Sequence, residues 1–328
     1  MKILNIGIVG TGYAAKKRAE AIIKDNRANL WSVTGSDLER TTKFARNYAI
    51  TAVDSWQKLV SDPKLDLVII CTVNQEHSAI ARTALQSDKH VIVEYPLALN
   101  YPEAAEIIAL ASEKKKLLHI EHMEIIGGLH QAIKEYLPQI GNVFYARYNT
   151  IAPQRDVPRN WKYNYRLFGF PLNAALSRVH RLTDLFGEVE RVFCQNRYWN
   201  TEDTNYFHGC LCNAQLNFSN GVLAEITYGK GDVFWWGHRT FEIHGDKGTL
   251  LFEGEKGTLI RDKEKTTIPV TSRRGLFALD TKVVLDYLFE NKSLYIEPSA
   301  SLYAVKIADA ARKSSETNQP VSIESSKL

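Results

Sequence analysis

The chain has 328 residues, 45% of them hydrophobic and 24% charged, with 41 Lys and Arg against 37 Asp and Glu. These proportions exclude a disordered or collagenous chain, and the length suits two domains. A net charge of +4 without a long basic block gives no basis for a nucleic-acid partner. No apolar run reaches the roughly 18–20 residues of a membrane span, so the expectation is a soluble cytoplasmic protein; composition does not separate a monomer from a homodimer.

In chain order, strand-like runs at Ile3–Val9, Leu30–Thr34, Leu67–Cys71, His90–Val93 and Leu117–Ile120 alternate with helix-like stretches at Ala14–Lys24, Glu39–Tyr48, Gln75–Gln86 and Pro102–Lys114. That alternation predicts βαβ units and a parallel sheet. The unbroken apolar character of Leu67–Cys71 and Val91–Val93 predicts strands buried on both faces. After about Glu121 the pattern becomes alternating, at Val143–Tyr148, Arg191–Tyr198, Leu211–Phe218, Leu223–Tyr228, Thr240–His244 and Thr249–Glu253. Helices are expected over Pro171–Phe186, Ala278–Glu290 and Ser299–Ser314. The expected architecture is an α/β dinucleotide-binding domain over 1–122, then an α+β substrate domain over 123–328 with a large, mainly antiparallel open sheet. The C-terminal helix is free to pack back on the first domain. The four cysteines, Cys71, Cys194, Cys210 and Cys212, lack paired CxxC spacing and read as core thiols, with no metal site.

Gly10-Thr11-Gly12-Tyr13-Ala14-Ala15 follows the first strand and opens the first helix, matching G-x-G-x-x-[GA]. Gly10 suits the tight turn, Gly12 admits a pyrophosphate, and Ala15 lets the helix sit close to the sheet, as in a Rossmann domain. Gly10, Thr11, Gly12, Tyr13 and Ala14 are therefore cofactor-loop candidates. The second strand ends Thr34-Gly35-Ser36-Asp37, with Gly35 where NAD sites carry a carboxylate for the ribose 2′-OH. Ser36 and Arg40 could instead take a 2′-phosphate, which favours NADPH over a weaker NADH. Asp37 either restores the NAD signature or caps the following helix. Thr72, Asn74 and His77 lie at the carboxyl edge of the sheet and border the same cofactor, with helix capping or surface exposure the alternative for His77.

At His90-Val91-Ile92-Val93-Glu94-Tyr95-Pro96, together with the loop above, the chain resembles the glucose–fructose oxidoreductase and inositol dehydrogenase family over essentially its whole length. That resemblance implies a Rossmann domain followed by an open-sheet α/β domain. Family members usually carry a Lys where Tyr95 stands, and an Asp and a His where Asn173 and Ser177 stand. An alcohol dehydrogenase needs a general base of suitable pKa, which Asn and Ser cannot supply. The departures resemble the bacterial and cyanobacterial biliverdin reductase branch. Val93–Pro96 matches its Val-Glu-Tyr-Pro, and Leu118-His119-Ile120-Glu121-His122 its Leu-His-x-Glu-His. Gly169-Phe170-Pro171, Ser177-Arg178 and Leu185–Glu188 follow in the same order.

This resemblance implies reduction of biliverdin to bilirubin, with hydride reaching the central methine and a proton reaching a pyrrole nitrogen. Arg178 is the first candidate for the key residue, polarising a pyrrole, holding a proton-donating water or binding a propionate. A helix-end ion pair is its plainer role. Tyr95 and His122 are the other catalytic candidates; Ser177, Glu121 and Trp235 are candidates for substrate contact, and Glu94 for the cofactor. His180 and Arg181 are expected on a solvated helix face. On an uninterrupted helix Arg178 lies at the edge of the Leu172, Ala175, Leu176, Val179, Leu182 and Phe186 stripe, and Ser177 points elsewhere. Other family readings are a sugar, polyol or imine oxidoreductase and a non-catalytic NADPH-binding regulator.

Overall fold

A computed structural model describes residues 3–324, which divide into two compact units: one runs to Met123 and takes in Arg274–Leu302, the other comprises Glu124–Arg273 and the chain from Tyr303. In the first unit, β1 (Leu4–Val9), β2 (Ala28–Thr34), β3 (Thr51–Ala52), β4 (Leu67–Ile70), β5 (His90–Val93) and β6 (Leu118–Ile120) form a sheet in the order β3-β2-β1-β4-β5-β6. All pairings are parallel. Every residue of β4 is buried, as a strand covered on both faces requires.

Helices α1 (Tyr13–Ile22), α2 (Leu38–Tyr48), α3 (Trp56–Val60), α4 (His77–Gln86) and α5 (Tyr101–Glu113) connect these strands. Asp37, Ser55 and Asn100 cap α2, α3 and α5 through their side-chain oxygens, satisfying first-turn N–H groups. The core joins Ile6, Ile8, Leu67, Ile69 and Ile92 to Ala15, Ala19 and Ile22 of α1, and to Val284 and Leu285 of the Leu276–Glu290 helix. That late helix thus belongs to the first unit although about 150 residues of the second intervene in sequence. The short β3 and α3 escaped the sequence reading because two and five residues carry too little periodicity.

The second unit is built on a nine-stranded sheet of β7 (Val143–Pro153), β8 (Val189–Asn200), β9 (Phe207–Phe218), β10 (Leu223–Gly231), β11 (His238–Gly245), β12 (Gly248–Glu253), β13 (Lys256–Arg261), β14 (Glu264–Ile268) and β15 (Val321–Ser322). Its order is β14-β13-β12-β11-β7-β10-β9-β8-β15, antiparallel except for β7 beside β10. Alternation decides the faces: β7 buries Ala146, Tyr148 and Thr150, and β9 buries Cys210, Cys212, Ala214 and Leu216. All four cysteines are free thiols, with Cys194 Sγ 3.5 Å from Cys212 Sγ. β14 exposes every residue but Ile268, so this polar edge strand had no alternation to read.

Helices α6 (Gly128–Tyr136), α7 (Tyr165–Phe168), α8 (Pro171–Ala174) and α9 (Leu176–Phe186) also belong to this unit. The single helix expected over 171–186 is two helices, because Ala175 leaves helical geometry at φ −105° and ψ 27°.

Lys230, at the end of β10, is only 7% exposed. Its Nζ donates to the Lys162 carbonyl and lies 3.4 Å from the centroid of the Phe168 ring and 4.5 Å from that of Tyr163. Burial pushes its pKa down to about 7, because a desolvated ammonium is costly. The folded state therefore binds fewer protons than the unfolded chain between pH 7 and the usual lysine range. The cost of the buried charge is full below pH 7 and vanishes as pH rises through that window. Lys230→Met is expected to raise Tm by several degrees near pH 6, with the advantage shrinking steadily toward about pH 10. A thermal-melt difference that does not change with pH would show that the ammonium is not the source.

Candidate active site

The cofactor loop begins where β1 ends. Gly10 has φ +124°, and a Cβ there would stand 2.2 Å from the Cys71 carbonyl oxygen, so no other residue fits the turn. Its N–H donates to the Thr34 carbonyl at 2.8 Å, fixing the loop against β2. Gly12 is the N-cap of α1; no side chain caps that helix, and a Cβ at Gly12 would meet nothing within 4 Å. The first-turn N–H groups and the positive helix end are thus left without a side-chain cap beside an open Gly12, which fits a pyrophosphate. Ala15 is fully buried under α1, while Tyr13 is exposed and sets its ring edge-on to Phe277 at 5.9 Å.

Gly35 stands beside this loop: a Cβ there would come within 3.1 Å of both Thr11 Cγ2 and Thr41 Oγ1. A carboxylate at position 35 would have to displace threonines on two elements. Asp37 caps α2, its Oδ1 accepting from the Arg40 N–H at 2.8 Å. Ser36 and the Arg40 side chain are exposed. Next along the sheet edge, Thr72 Oγ1 donates to Glu76 at 2.9 Å and Asn74 is buried. His77 is buried with Nδ1 2.8 Å from the Pro96 carbonyl and Nε2 3.2 Å from that of Thr72. Burial pushes its pKa down, against the two carbonyls, and the ring packs between the loops after β4 and β5.

Behind the loop lies a buried charge. Arg18, with no exposed surface, donates Nε and Nη2 to Glu94 Oε1 at 3.2 and 3.0 Å, and Nη1 to Asp280 and to Thr281 Oγ1. Burial opposes the guanidinium charge, but Asp280 and Glu94 more than offset it and hold Arg18 charged. Asp280 also takes His119 Nε2 at 2.8 Å and the Tyr295 hydroxyl at 2.5 Å. Although burial alone would raise it, Arg18 and His119 keep Asp280 well below the usual carboxylate range. Burial pushes the Glu94 carboxyl up, with Arg18 opposing and Asp280 adding to the rise. Glu121 is buried and accepts the Met123 N–H at 2.6 Å. His122 is fully buried, its Nε2 2.8 Å from Ser301 Oγ, and the Tyr95 ring stacks on it at 5.4 Å and 10°.

The second unit gathers a different set. Within α9 the long Arg178 side chain reaches its neighbour, Nη1 donating to Ser177 Oγ at 3.1 Å, so the two groups meet although a helix directs adjacent residues apart. Arg178 Cζ also lies 5.3 Å from the Tyr228 ring centroid and 5.9 Å from that of Tyr148. Arg181 and His180 are buried, not solvated as expected, because α9 turns this face onto the sheet. His180 Nδ1 lies 3.4 Å from Glu124. Among the described residues, Arg181 Nε and Nη1 and Arg178 Nε have no hydrogen-bond partner. Burial lowers the Arg181 pKa, with Arg239 and Arg178 adding to that effect. Trp235 is 87% exposed, with Arg155 Cζ 3.9 Å from its ring centroid. Tyr163, by contrast, is packed in a core cluster with Phe168 and Phe207.

Sequence reasoning did not single out Arg18, Asp280, Tyr148 or Arg239. A signal existed for two of them. Arg18 falls three residues after Ala15 and one before Ala19 in a helical apolar stripe, and Tyr148 alternates with Ala146 and Thr150 on a core-facing strand. A charged residue in such a stripe announces a buried partner.

Two models of one oxidoreductase family match the chain: its NAD-binding Rossmann fold over residues 4–122 and its C-terminal alpha/beta domain over 134–323. The crystal structure of a biliverdin reductase from Synechocystis sp. PCC 6803, in complex with biliverdin and NADP+, is 52% identical, with a TM-score of 0.94 over 95% of this chain and 98% of that one. Mouse biliverdin reductase A is 30% identical over 185 residues, and the match spans 56% of this chain and 59% of the mouse protein. A levoglucosan dehydrogenase complex with NADH and levoglucosan shares the fold, with a TM-score of 0.82 at 17% identity over 99% of this chain and all of that one.

Removing Arg18 would leave Asp280 and Glu94 buried without their counter-charge. Arg18→Met is expected to cost about 3–5 kcal/mol near neutral pH. Asp280 is held ionised in the fold, so its stabilising pairing is present above the ordinary carboxylate pKa and is lost as pH falls. The deficit of the variant should therefore narrow below about pH 4, a comparison that urea titrations at two pH values would make.

Proposed function

The chain belongs to the Gfo/Idh/MocA oxidoreductase family, and from that premise we propose that it is an NADPH-dependent reductase that converts biliverdin to bilirubin. The observation that carries this reading is the likeness to the Synechocystis enzyme over nearly the whole of both chains. We assign cofactor binding to residues 1–122 and bilin binding to 123–328.

The residues support that assignment. NADPH, when bound, supplies hydride to the central methine carbon, and a pyrrole nitrogen gains a proton. No hydroxyl proton moves, so Tyr95, Asn173 and Ser177 suffice where sugar dehydrogenases need a Lys, an Asp and a His. Gly10, Thr11, Gly12, Tyr13 and Ala14 offer the pyrophosphate a backbone cradle, and Thr72 and Asn74 border the nicotinamide side. Gly35 brings no carboxylate to that edge, Asp37 is engaged in a helix cap, and the exposed Ser36 and Arg40 can bind a 2′-phosphate.

Biliverdin brings two propionates, and Arg178 and Arg181 present guanidinium N–H groups that no described residue takes up. A buried cation with unmet donors is costly until an anion arrives, so this pair suits the substrate carboxylates and the electron-rich pyrroles. Ser177 orients Arg178, and the exposed Trp235 offers an aromatic face. Tyr95 and His122 act as a stacked pair beside Glu121, and Glu94 acts through Arg18.

Mixing the protein with biliverdin and NADPH should convert the red-absorbing bilin to a blue-absorbing product. Absence of conversion across a range of pH, with NADPH binding verified, would overturn the reading. Arg178→Lys should lower kcat about 100-fold without changing NADPH affinity. Arg40→Ala should raise KM for NADPH about tenfold, the loss of about 1.4 kcal/mol, while leaving NADH unaffected. Equal wild-type efficiency with the two cofactors would remove Ser36 and Arg40 from phosphate recognition.

A further inference from the structure

Tyr148 sits on the buried face of β7 with 1% of its surface exposed, its ring stacked on Phe241 at 4.7 Å and 12°. Three cations surround it. Arg239 of β11 donates Nη2 and Nε to the hydroxyl at 2.5 and 3.2 Å and has its Cζ 5.7 Å from the ring centroid. The Cζ atoms of Arg178 and Arg181 on α9 each lie 5.9 Å from the same centroid.

The hydroxyl oxygen accepts both bonds from Arg239, and a guanidinium cannot accept in return. The phenolic proton therefore points into a setting made of donors. Other ionisable neighbours of this cluster are Glu124, whose charge acts on Arg181 and which pairs with His180, and Tyr228, whose ring centroid lies 5.3 Å from Arg178 Cζ. Burial alone would raise the phenol's pKa, yet Arg181, Arg239 and Arg178 together bring it below the ordinary tyrosine value. A tyrosine held for packing alone needs none of these charges.

We infer that Tyr148 is the source of the reaction's proton, a phenol hydrogen-bonded by Arg239 and set behind the α9 arginines that hold the substrate. The inference rests on the bilin reductase reading above. It resolves a difficulty within that reading: the reduction needs one proton for each hydride, and Arg178 is too weak an acid to give it. In each turnover the Tyr148 O–H bond breaks and its electron pair stays on the phenolate oxygen; the proton passes to a water held by Arg178, and that water gives one of its own protons to the pyrrole nitrogen conjugated with the reduced methine. The arginines stabilise that phenolate until it regains a proton from water. Arg178 and Arg181 then have two tasks, holding the substrate anions and lowering the cost of ionising Tyr148.

The test compares wild type with Tyr148→Phe, which keeps the ring and its stacking. In a pH titration of the near-ultraviolet phenolate band, the wild-type minus variant difference should show one tyrosine ionising below the ordinary range. With biliverdin and NADPH, kcat should fall about 100-fold with KM for biliverdin nearly constant, and the alkaline limb of the wild-type kcat profile should disappear. Arg239→Met, which keeps Tyr148 but removes its donor, should move that limb to higher pH. An active wild type whose Tyr148→Phe variant keeps full kcat and the same pH profile overturns the donor role alone. An inactive wild type overturns the bilin reading and the donor role together.

Discussion

A guanidinium with no exposed surface is the constraint on which the first unit is built. Moving Arg18 out of water costs several kcal/mol, and only good geometry with more than one anionic partner repays it. Those partners come from distant places in the chain: Glu94 follows β5, while Asp280 and Thr281 lie on the Leu276–Glu290 helix. Satisfying one charge therefore recruits a helix from late in the sequence, seats α1 against the sheet and fixes the residue next to Tyr95. Since α1 begins at the glycine loop, the orientation of the uncapped N–H groups depends on the same ion cluster. Asp280 is in turn held by His119 and Tyr295, so the Leu118–His122 segment is tied to it as well.

The two units handle buried arginines in opposite ways. Arg18 finds a partner for each of its three nitrogens. Arg181, almost as deeply buried, has two nitrogens without one among the described residues, and its charged neighbours are Glu124 and two further cations, Arg239 and Arg178. A protein under selection for stability alone would remove such a group, because replacing it with an apolar side chain relieves the desolvation cost. Its retention makes sense where an anion from outside supplies the missing contacts. The same positive field acts on Tyr148, so anion binding and phenol acidity have one electrostatic source. Binding substrate carboxylates would offset part of that field, linking the hold on the substrate to the readiness of the proton.

Much of the first unit was legible because its signals are local. Periodicity located five of six strands, and the G-x-G-x-x-A run sat between strand and helix as a nucleotide loop requires. Asp37 illustrates where locality stops. Sequence allowed a ribose contact or a helix cap, and only the bond from the Arg40 N–H decides for the cap. The α9 cluster was less legible, since the wheel placed Arg178 correctly at the edge of the apolar stripe but assumed a continuous helix. The wheel also set Ser177 apart from Arg178, and it takes no account of a side chain long enough to reach the adjacent hydroxyl within α9. His180 and Arg181 were expected in solvent because charge ordinarily follows water; their burial depends on strands that alternate far away in sequence. Arg239 could not be connected to Tyr148 before the pairing of β11 with β7 was known.

Positions where the chain departs from the sugar-dehydrogenase pattern carry a final consequence. Tyr95 replaces a lysine, and instead of presenting an amine it stacks on His122, whose own Nε2 is engaged with Ser301. Asn173 replaces an aspartate and is fully buried. Neither position retains a base exposed to a substrate hydroxyl, and general-base catalysis requires one within hydrogen-bond reach. In the second unit the guanidinium nitrogens without a partner among the described residues lie on α9 against β7, an arrangement that favours an anion. Oxidising an alcohol asks an active site to accept a proton; reducing a conjugated tetrapyrrole asks it to give one. Under the proposed function, the shift from Lys, Asp and His to a tyrosine ringed by arginines would be the electrostatic form of that reversal.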